Sequence, residues 1–155
     1  MGRLLDFSIT VEIQAAPETV WGVMSEVERW AEWTPSVTSI RRLDQGPLAV
    51  GSRARVRQPK LLPALWRVTE LEAGRGFNWV TTGPGIHVTG RHWVEPYANG
   101  SRATLSLTFA GLIGPLVGRL TRGINHRYLG LEAAGLKRRA EELERAAPPS
   151  SPAGA

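Results

Sequence analysis

Hydrophobic and polar residues alternate near the start of the chain. Phe7, Ile9, Val11 and Ile13 fall on one face of an extended segment, and Ser8, Thr10, Glu12 and Gln14 fall on the other. A period of two marks a strand with one dry face. After Ala15 and Ala16 the period changes. Pro17 suits the first helical position, where no backbone N–H is needed, and Glu18 places negative charge where the helix dipole favours it. Val20, Val23, Met24, Val27 and Ala31 then form one stripe, with Glu18, Arg29 and Glu32 opposite. This pattern predicts a helix whose apolar side the rest of the fold must cover. Trp30, Trp33 and Pro35 close the segment.

Six further strands follow from alternation and turn signals, over 37–43, 52–58, 65–71, 77–82, 86–96 and 102–109. In the second of these Arg53, Arg55 and Arg57 take the wet face, leaving Ala54, Val56 and Gln58 for the cavity face. In the last, Ala103, Leu105, Leu107 and Phe109 form the dry face, and Asn99-Gly100 before it is a hairpin signal. From 113 to about 145 the period becomes helical, with Leu120, Ile124, Leu129, Leu136, Ala140 and Leu143 recurring. Gly118, Gly123, Gly130 and Gly135 each weaken such a helix by about 1 kcal/mol relative to alanine. They therefore predict a bend or a close backbone approach. The order strand, helix, six strands, long helix reads as α+β, an antiparallel sheet with helices on one face. A pocket between a curved sheet and that long helix is the first place to look for function. Residues 1–145 form one expected domain, and the segment AAPPSSPAGA at 146–155 is an expected disordered tail.

Composition narrows the function classes. The 155 residues suffice for one substantial core, and the lack of cysteine excludes disulfides, thiolate catalysis and cysteine-ligated zinc. Cytoplasm is the expected compartment. No signal-peptide core precedes the first strand, and the longest nearly apolar run, 109–118, is far below the roughly 20 residues of a membrane helix. The net charge is +5, and 17 of the 19 basic residues are arginines spread along the chain, while aspartate occurs only at positions 6 and 44. That dispersal reads as a solvated arginine surface rather than a nucleic-acid partner.

The runs APETVWGVMSEVERWAEWTP, LWRVTELEAGRGFNWV, GRHWVEPYANGSRATLSLTF and GLEAAGLKRRAEEL together resemble the START-like, or SRPBCC, superfamily, in particular its polyketide cyclase/dehydrase-like branch. The resemblance covers nearly the whole chain. It implies a helix-grip fold: a seven-stranded curved antiparallel sheet wrapped around a long C-terminal helix, with short helices after the first strand, enclosing an apolar cavity. Relatives of this kind include lipid carriers, hormone binders and aromatase or cyclase enzymes, so the fold alone does not select a reaction.

Candidate chemistry lies where polar residues interrupt apolar faces. The apolar arc of the last helix contains Arg122, Asn125, Tyr128 and Glu132, whereas His126, Arg127, Lys137, Arg138, Glu141 and Glu144 lie on the opposite, wet side. An unpaired buried amide or hydroxyl costs on the order of 1–3 kcal/mol, so the inward four need partners or a solvated cavity. Arg122 and Glu132 could equally sit at the helix edge and reach water. Trp66, Val68 and Glu70 share one strand face, Phe77, Trp79 and Thr81 the next, and His92 shares a face with Val88, Gly90 and Val94. The expected ligand contacts are Trp66, Val68, Trp79, His92, Leu107, Phe109, Asn125, Tyr128, Leu129 and Glu132, with plain core packing the alternative for the tryptophans. His92 and Tyr128 are the candidates for general acid–base chemistry, against a hydrogen-bonded core histidine.

His87 and His92 face opposite ways on one strand and cannot share a metal, and no serine-elbow, phosphate-loop or dinucleotide motif occurs. Neither a metal nor a cofactor is expected. Leu61 and Leu62, inside PKLLP, and Leu112 and Ile113, before the long helix, form an expected hydrophobic gate; a patch for transient membrane contact or dimerisation is the alternative, and an ordinary satellite core is the bland reading against both. The leading expectation is a binding protein for a lipid, polyketide or aromatic metabolite, monomeric or homodimeric. The alternatives are a polyketide cyclase, aromatase or dehydratase using the same cavity, and a partner-binding module.

Overall fold

The computed structural model describes residues 4–147. All of the expected tail beyond Ala147 lies outside them. Seven strands form one antiparallel sheet in the order β1-β7-β6-β5-β4-β3-β2. They are β1 (Leu5–Ile13), β2 (Ser39–Arg42), β3 (Arg53–Arg57), β4 (Ala64–Glu72), β5 (Gly76–Gly83), β6 (Ile86–Tyr97) and β7 (Gly100–Ala110). The chain crosses from one sheet edge to the other through α1 (Pro17–Ser25) and a 3-10 helix (Val27–Glu32). After β7 it enters α2 (Gly114–Leu120) and the long α3 (Arg122–Ala146). The sheet curves around α3, so this is the helix-grip architecture the sequence predicts.

The alternating pattern places the strands well, because one buried face fixes the side of every residue in a strand. β4 is the exception. Its pairing with β5 slips between Val68 and Glu70, where a bulge lets Val68 face Trp79 and Glu70 face Asn78. The inserted residue reverses the alternation. Glu70 is therefore exposed, not on the inner face with Trp66 and Val68, and it accepts a hydrogen bond from Asn78 Nδ2 at 2.9 Å.

Both helical readings need correction. The first helix stops at Ser25, and after Glu26 the six residues Val27–Glu32 wind with three residues per turn instead of 3.6. Val27 and Trp30 consequently share the buried side, and Ala31 turns to solvent. The single long helix is broken at Thr121, whose hydroxyl donates to the Val117 carbonyl at 2.8 Å. That break leaves Leu120 outside, and Leu143 is also exposed; the apolar stripe that packs is Leu129, Ala133, Leu136 and Ala140.

The supposedly wet side of α3 is an anchoring surface. Lys137 Nζ donates to the Glu12 carbonyl at 2.8 Å, the Gln14 N–H donates to Glu141 at 2.8 Å, and Arg138 donates to the Trp33 carbonyl at 2.9 Å. Glu144 accepts from the Ala16 N–H at 3.0 Å and the Thr19 hydroxyl at 2.7 Å. Ala16 has no side chain able to cap α1, so a carboxylate from the far end of the chain serves that helix start instead. The Thr19 hydroxyl, and then Ala16, hold the Glu144 carboxyl below the usual carboxylate range; Lys137 foremost does the same for Glu141.

Gly135 permits the closest approach. A Cβ at this position would lie 2.1 Å from the Trp33 carbonyl oxygen, whereas one at Gly130 would meet nothing within 4 Å. Gly135→Ala should therefore destabilise the protein by about 1–3 kcal/mol through overpacking. Gly130→Ala should stabilise it by up to about 1 kcal/mol through helix propensity alone. Thermal unfolding of the two variants should show shifts of opposite sign; a common sign would refute the close-approach argument.

Candidate functional site

A cavity of about 660 Å³ lies between the concave side of the sheet and the first half of α3. It opens where the β3–β4 loop, the β5–β6 hairpin and α2 meet, among Lys60, Leu62, Gly83 and Val117. Aromatic rings make its floor. Trp66 and Trp79 sit with centroids 5.5 Å apart, Trp79 and Trp30 5.4 Å apart, and Trp30 and His92 4.9 Å apart. Beneath them the His92 imidazole stacks on Phe77 at 4.9 Å, inclined by 18°. Trp79 can lie across β6 because position 90 is glycine: a Cβ there would come within 3.0 Å of the indole.

Two fully buried polar atoms in this floor have no hydrogen-bond partner among the described residues, Trp66 Nε1 and His92 Nδ1. Trp30 differs, since its Nε1 donates to the Met24 carbonyl at 3.1 Å. Burial without a partner penalises the charged imidazolium, so the His92 pKa falls to about 3 and the ring is neutral at physiological pH.

The opposite wall comes from α3. Asn125 spends its amide N–H groups on the Gly118 carbonyl at 3.3 Å and Thr121 Oγ1 at 3.0 Å. The Tyr128 hydroxyl donates to the Pro59 carbonyl and so ties α3 to the β3–β4 loop. Glu132 has neither ion pair nor hydrogen bond among the described residues, and desolvation raises its pKa to about 8. Part of its surface faces the open cavity, which moderates the desolvation without changing its direction. This wall therefore carries a carboxyl that holds its proton well above the usual carboxylate range.

Of the residues singled out from sequence, the structure gathers Trp66, Trp79, His92, Leu107, Phe109, Asn125, Tyr128, Leu129 and Glu132 around the cavity. Val68 does not line it: the side chain is 1% exposed and packs below the floor opposite Trp79. Arg122 is exposed just beyond the Thr121 break. Val56 and Gln58 line the cavity, as the alternation in β3 predicts, and Trp30 and Val37 line it as well without being among the expected contacts. Val37 precedes β2 at the far edge of the sheet, and the sheet's curl brings it to the same space. His87 is exposed while His92 is buried, and no group of three or more His, Asp or Glu side chains is placed to hold a metal ion among the described residues.

A family model described as "Polyketide cyclase / dehydrase and lipid transport" matches residues 5–141. No curated protein matches the chain. Among solved structures, a START superfamily protein from Mycobacterium smegmatis superposes with a TM-score of 0.72 at 18% identity, covering 89% of this chain and 98% of its own. Ara h 8.0201 gives 0.66 at 14% identity, covering 94% and 100%. The di-domain ARO/CYC StfQ from the steffimycin biosynthetic pathway gives 0.69 at 15%, covering 92% of this chain and 51% of that longer one. At these identities the likeness is one of fold.

The two shifted groups act on stability in opposite pH windows. Glu132 binds its proton more tightly folded than unfolded, so its contribution is present below about pH 4.5 and is lost as pH rises towards 8. His92 is the reverse: the unfolded chain binds the proton more tightly, so stability is lost as pH falls from about 6.5 towards 3. Glu132→Gln should flatten the loss between pH 4.5 and 8 in denaturant titrations and leave the acid limb unchanged. An unaltered alkaline limb would show that the carboxyl is not desolvated.

Proposed function

This chain belongs to the polyketide cyclase/dehydrase and lipid transport family, and on that premise we propose that it holds a hydrophobic small molecule, a lipid, polyketide or aromatic metabolite, between the sheet and α3. The observation that carries the reading is the open cavity of about 660 Å³, which falls within the size range of sites for drug-sized ligands, combining apolar walls with a few polar groups. Trp66 borders it with a buried, unpartnered Nε1. A small rotation of the indole would bring that donor to the cavity, where a carbonyl or hydroxyl oxygen on the ligand would accept from it and remove the cost of the orphaned donor. Ligands bearing an oxygen on an apolar frame are the class this wall favours over pure hydrocarbons.

A second reading, a cyclase or dehydratase, draws on the two titratable groups whose environments push their pKa values apart. Proton transfer is most efficient when the group's pKa lies near the working pH. Glu132, at about 8, suits that work at neutral pH better than His92, at about 3, which serves as a hydrogen-bond partner. Tyr128 already donates its proton to Pro59, so toward a ligand it offers its oxygen lone pairs. In this reading Glu132→Gln removes turnover of a poly-β-ketone thioester while keeping its binding.

Displacement of 8-anilinonaphthalene-1-sulfonate tests the first reading with two probes of similar shape, menadione and 2-methylnaphthalene. Trp66→Phe keeps an aromatic side chain but deletes the donor, and should weaken menadione by about fivefold while leaving 2-methylnaphthalene within a factor of about two. Failure of both probes to displace the dye from the wild-type protein would sink the cavity reading altogether.

A further inference from the structure

The outside of the cavity mouth is built the wrong way round for a surface that faces only water. α2 buries its two glycines, Gly114 and Gly118, and turns its leucines outward. Leu112, Leu116 and Leu120 follow one another at a spacing of four and are 91%, 55% and 78% exposed. Across the opening Leu62 is 89% exposed, with Leu61 beside it. These apolar groups come from segments far apart in sequence yet are held at one rim. The Ile113 N–H donates to the Gly85 carbonyl at 2.9 Å, and the Tyr128–Pro59 bond fixes the loop that carries Leu61 and Leu62.

Charge is distributed with the same bias. The three rim segments, 58–65, 82–87 and 111–127, contain no aspartate or glutamate but include Lys60, Arg119, Arg122 and Arg127. All four cations are exposed, and none forms an ion pair among the described residues. At the other end of α3 the two signs are mixed and paired instead: Glu141 with Lys137 at 2.7 Å, and Glu32 with Arg139 at 2.7 Å. The unpaired, carboxylate-free cations beside exposed leucines are thus a property of the mouth end.

We propose that the mouth rim is a docking surface for an anionic lipid bilayer. The leucines enter the boundary between headgroups and acyl chains, and the lysine and arginines meet the lipid phosphates. Apolar side chains beside unpaired cations, with no carboxylate among them, are the composition that binds such an interface. A nucleic acid or an acidic protein would complement the cations but leave Leu62 and Leu112 without an apolar partner. No helix among the described residues is long and apolar enough to cross a membrane, so the contact is peripheral. This surface lies outside the cavity and does not depend on what the cavity holds.

Flotation with vesicles of phosphatidylcholine alone, or with about 30% phosphatidylglycerol, tests the proposal. The protein should float with the anionic vesicles and not with the neutral ones, and about 0.5 M salt should weaken the association. Leu112→Asp/Leu116→Asp and Arg119→Glu/Arg122→Glu alter exposed residues outside the cavity lining, and each should lower partitioning by at least about tenfold. Arg53→Glu/Arg55→Glu, an equal change of net charge on the outer face of β3, should leave partitioning within about threefold of wild type. Unchanged thermal unfolding would confirm that the variants fold. Absence of binding to anionic vesicles, or equal loss in the β3 variant, would overturn the proposal. So would a wild-type dimer in sedimentation velocity that Leu112→Asp/Leu116→Asp splits, since the leucines would then cover a second copy. Dye displacement from the cavity reports on the ligand reading separately.

Discussion

The height at which α3 crosses the sheet is set by one contact, the helix backbone at Gly135 against the carbonyl of Trp33. Arg138 donates to that same carbonyl, and Lys137, Glu141 and Glu144 fasten neighbouring turns to β1 and to the start of α1. Around this end the helix presents Ala133, Leu136 and Ala140, and the space beneath is filled. Towards its other end the same helix presents Asn125, Tyr128 and Glu132, and the space beneath stays open. Core and cavity are thus two halves of one groove. A bulkier residue at 135 would lift the helix from both.

Polar groups in the open half are left less satisfied than a core would tolerate. Trp66 Nε1 and His92 Nδ1 lack partners, and Glu132 is desolvated without a cation beside it. Each costs stability that apolar residues of similar size would not. Departures of this kind from internal consistency concentrate at functional sites. Here three of them border one cavity, whereas the elements that position it, β7 and the C-terminal half of α3, show no such cost.

The sequence carried the strands because burying one face of a sheet forces alternation, and Phe7 to Ile13 or Ala103 to Phe109 could hardly be placed otherwise. It carried Asn125, Tyr128 and Glu132 for the complementary reason: polar residues break an apolar arc only at a cost. Glu70 was misplaced because a single inserted residue leaves no mark in composition, and Ala31 because a 3-10 turn and an α-turn differ by little more than half a residue per turn. The helical wheel separated the apolar arc of α3 from its other side but could not show that Lys137, Glu141 and Glu144 face β1 and α1. Val56 was legible from the alternation of β3, whereas Trp30 and Val37 became cavity walls through the way the 3-10 helix and the sheet edge close over the groove, which no local pattern encodes.

The break at Thr121 gives α3 the mechanics of a lever. Its fulcrum is the Trp33 contact near Arg138, and its arm runs about 25 Å to the break, at roughly 1.5 Å per residue. Over that length a tilt of about 5° would displace the arm's tip by about 2 Å. Two ties hold the arm against such a tilt, Tyr128 on the Pro59 carbonyl and Asn125 on the Gly118 carbonyl. The width of the mouth is therefore set by two hydrogen bonds at the long end of the lever, and the depth of the groove by the backbone contact at the short end.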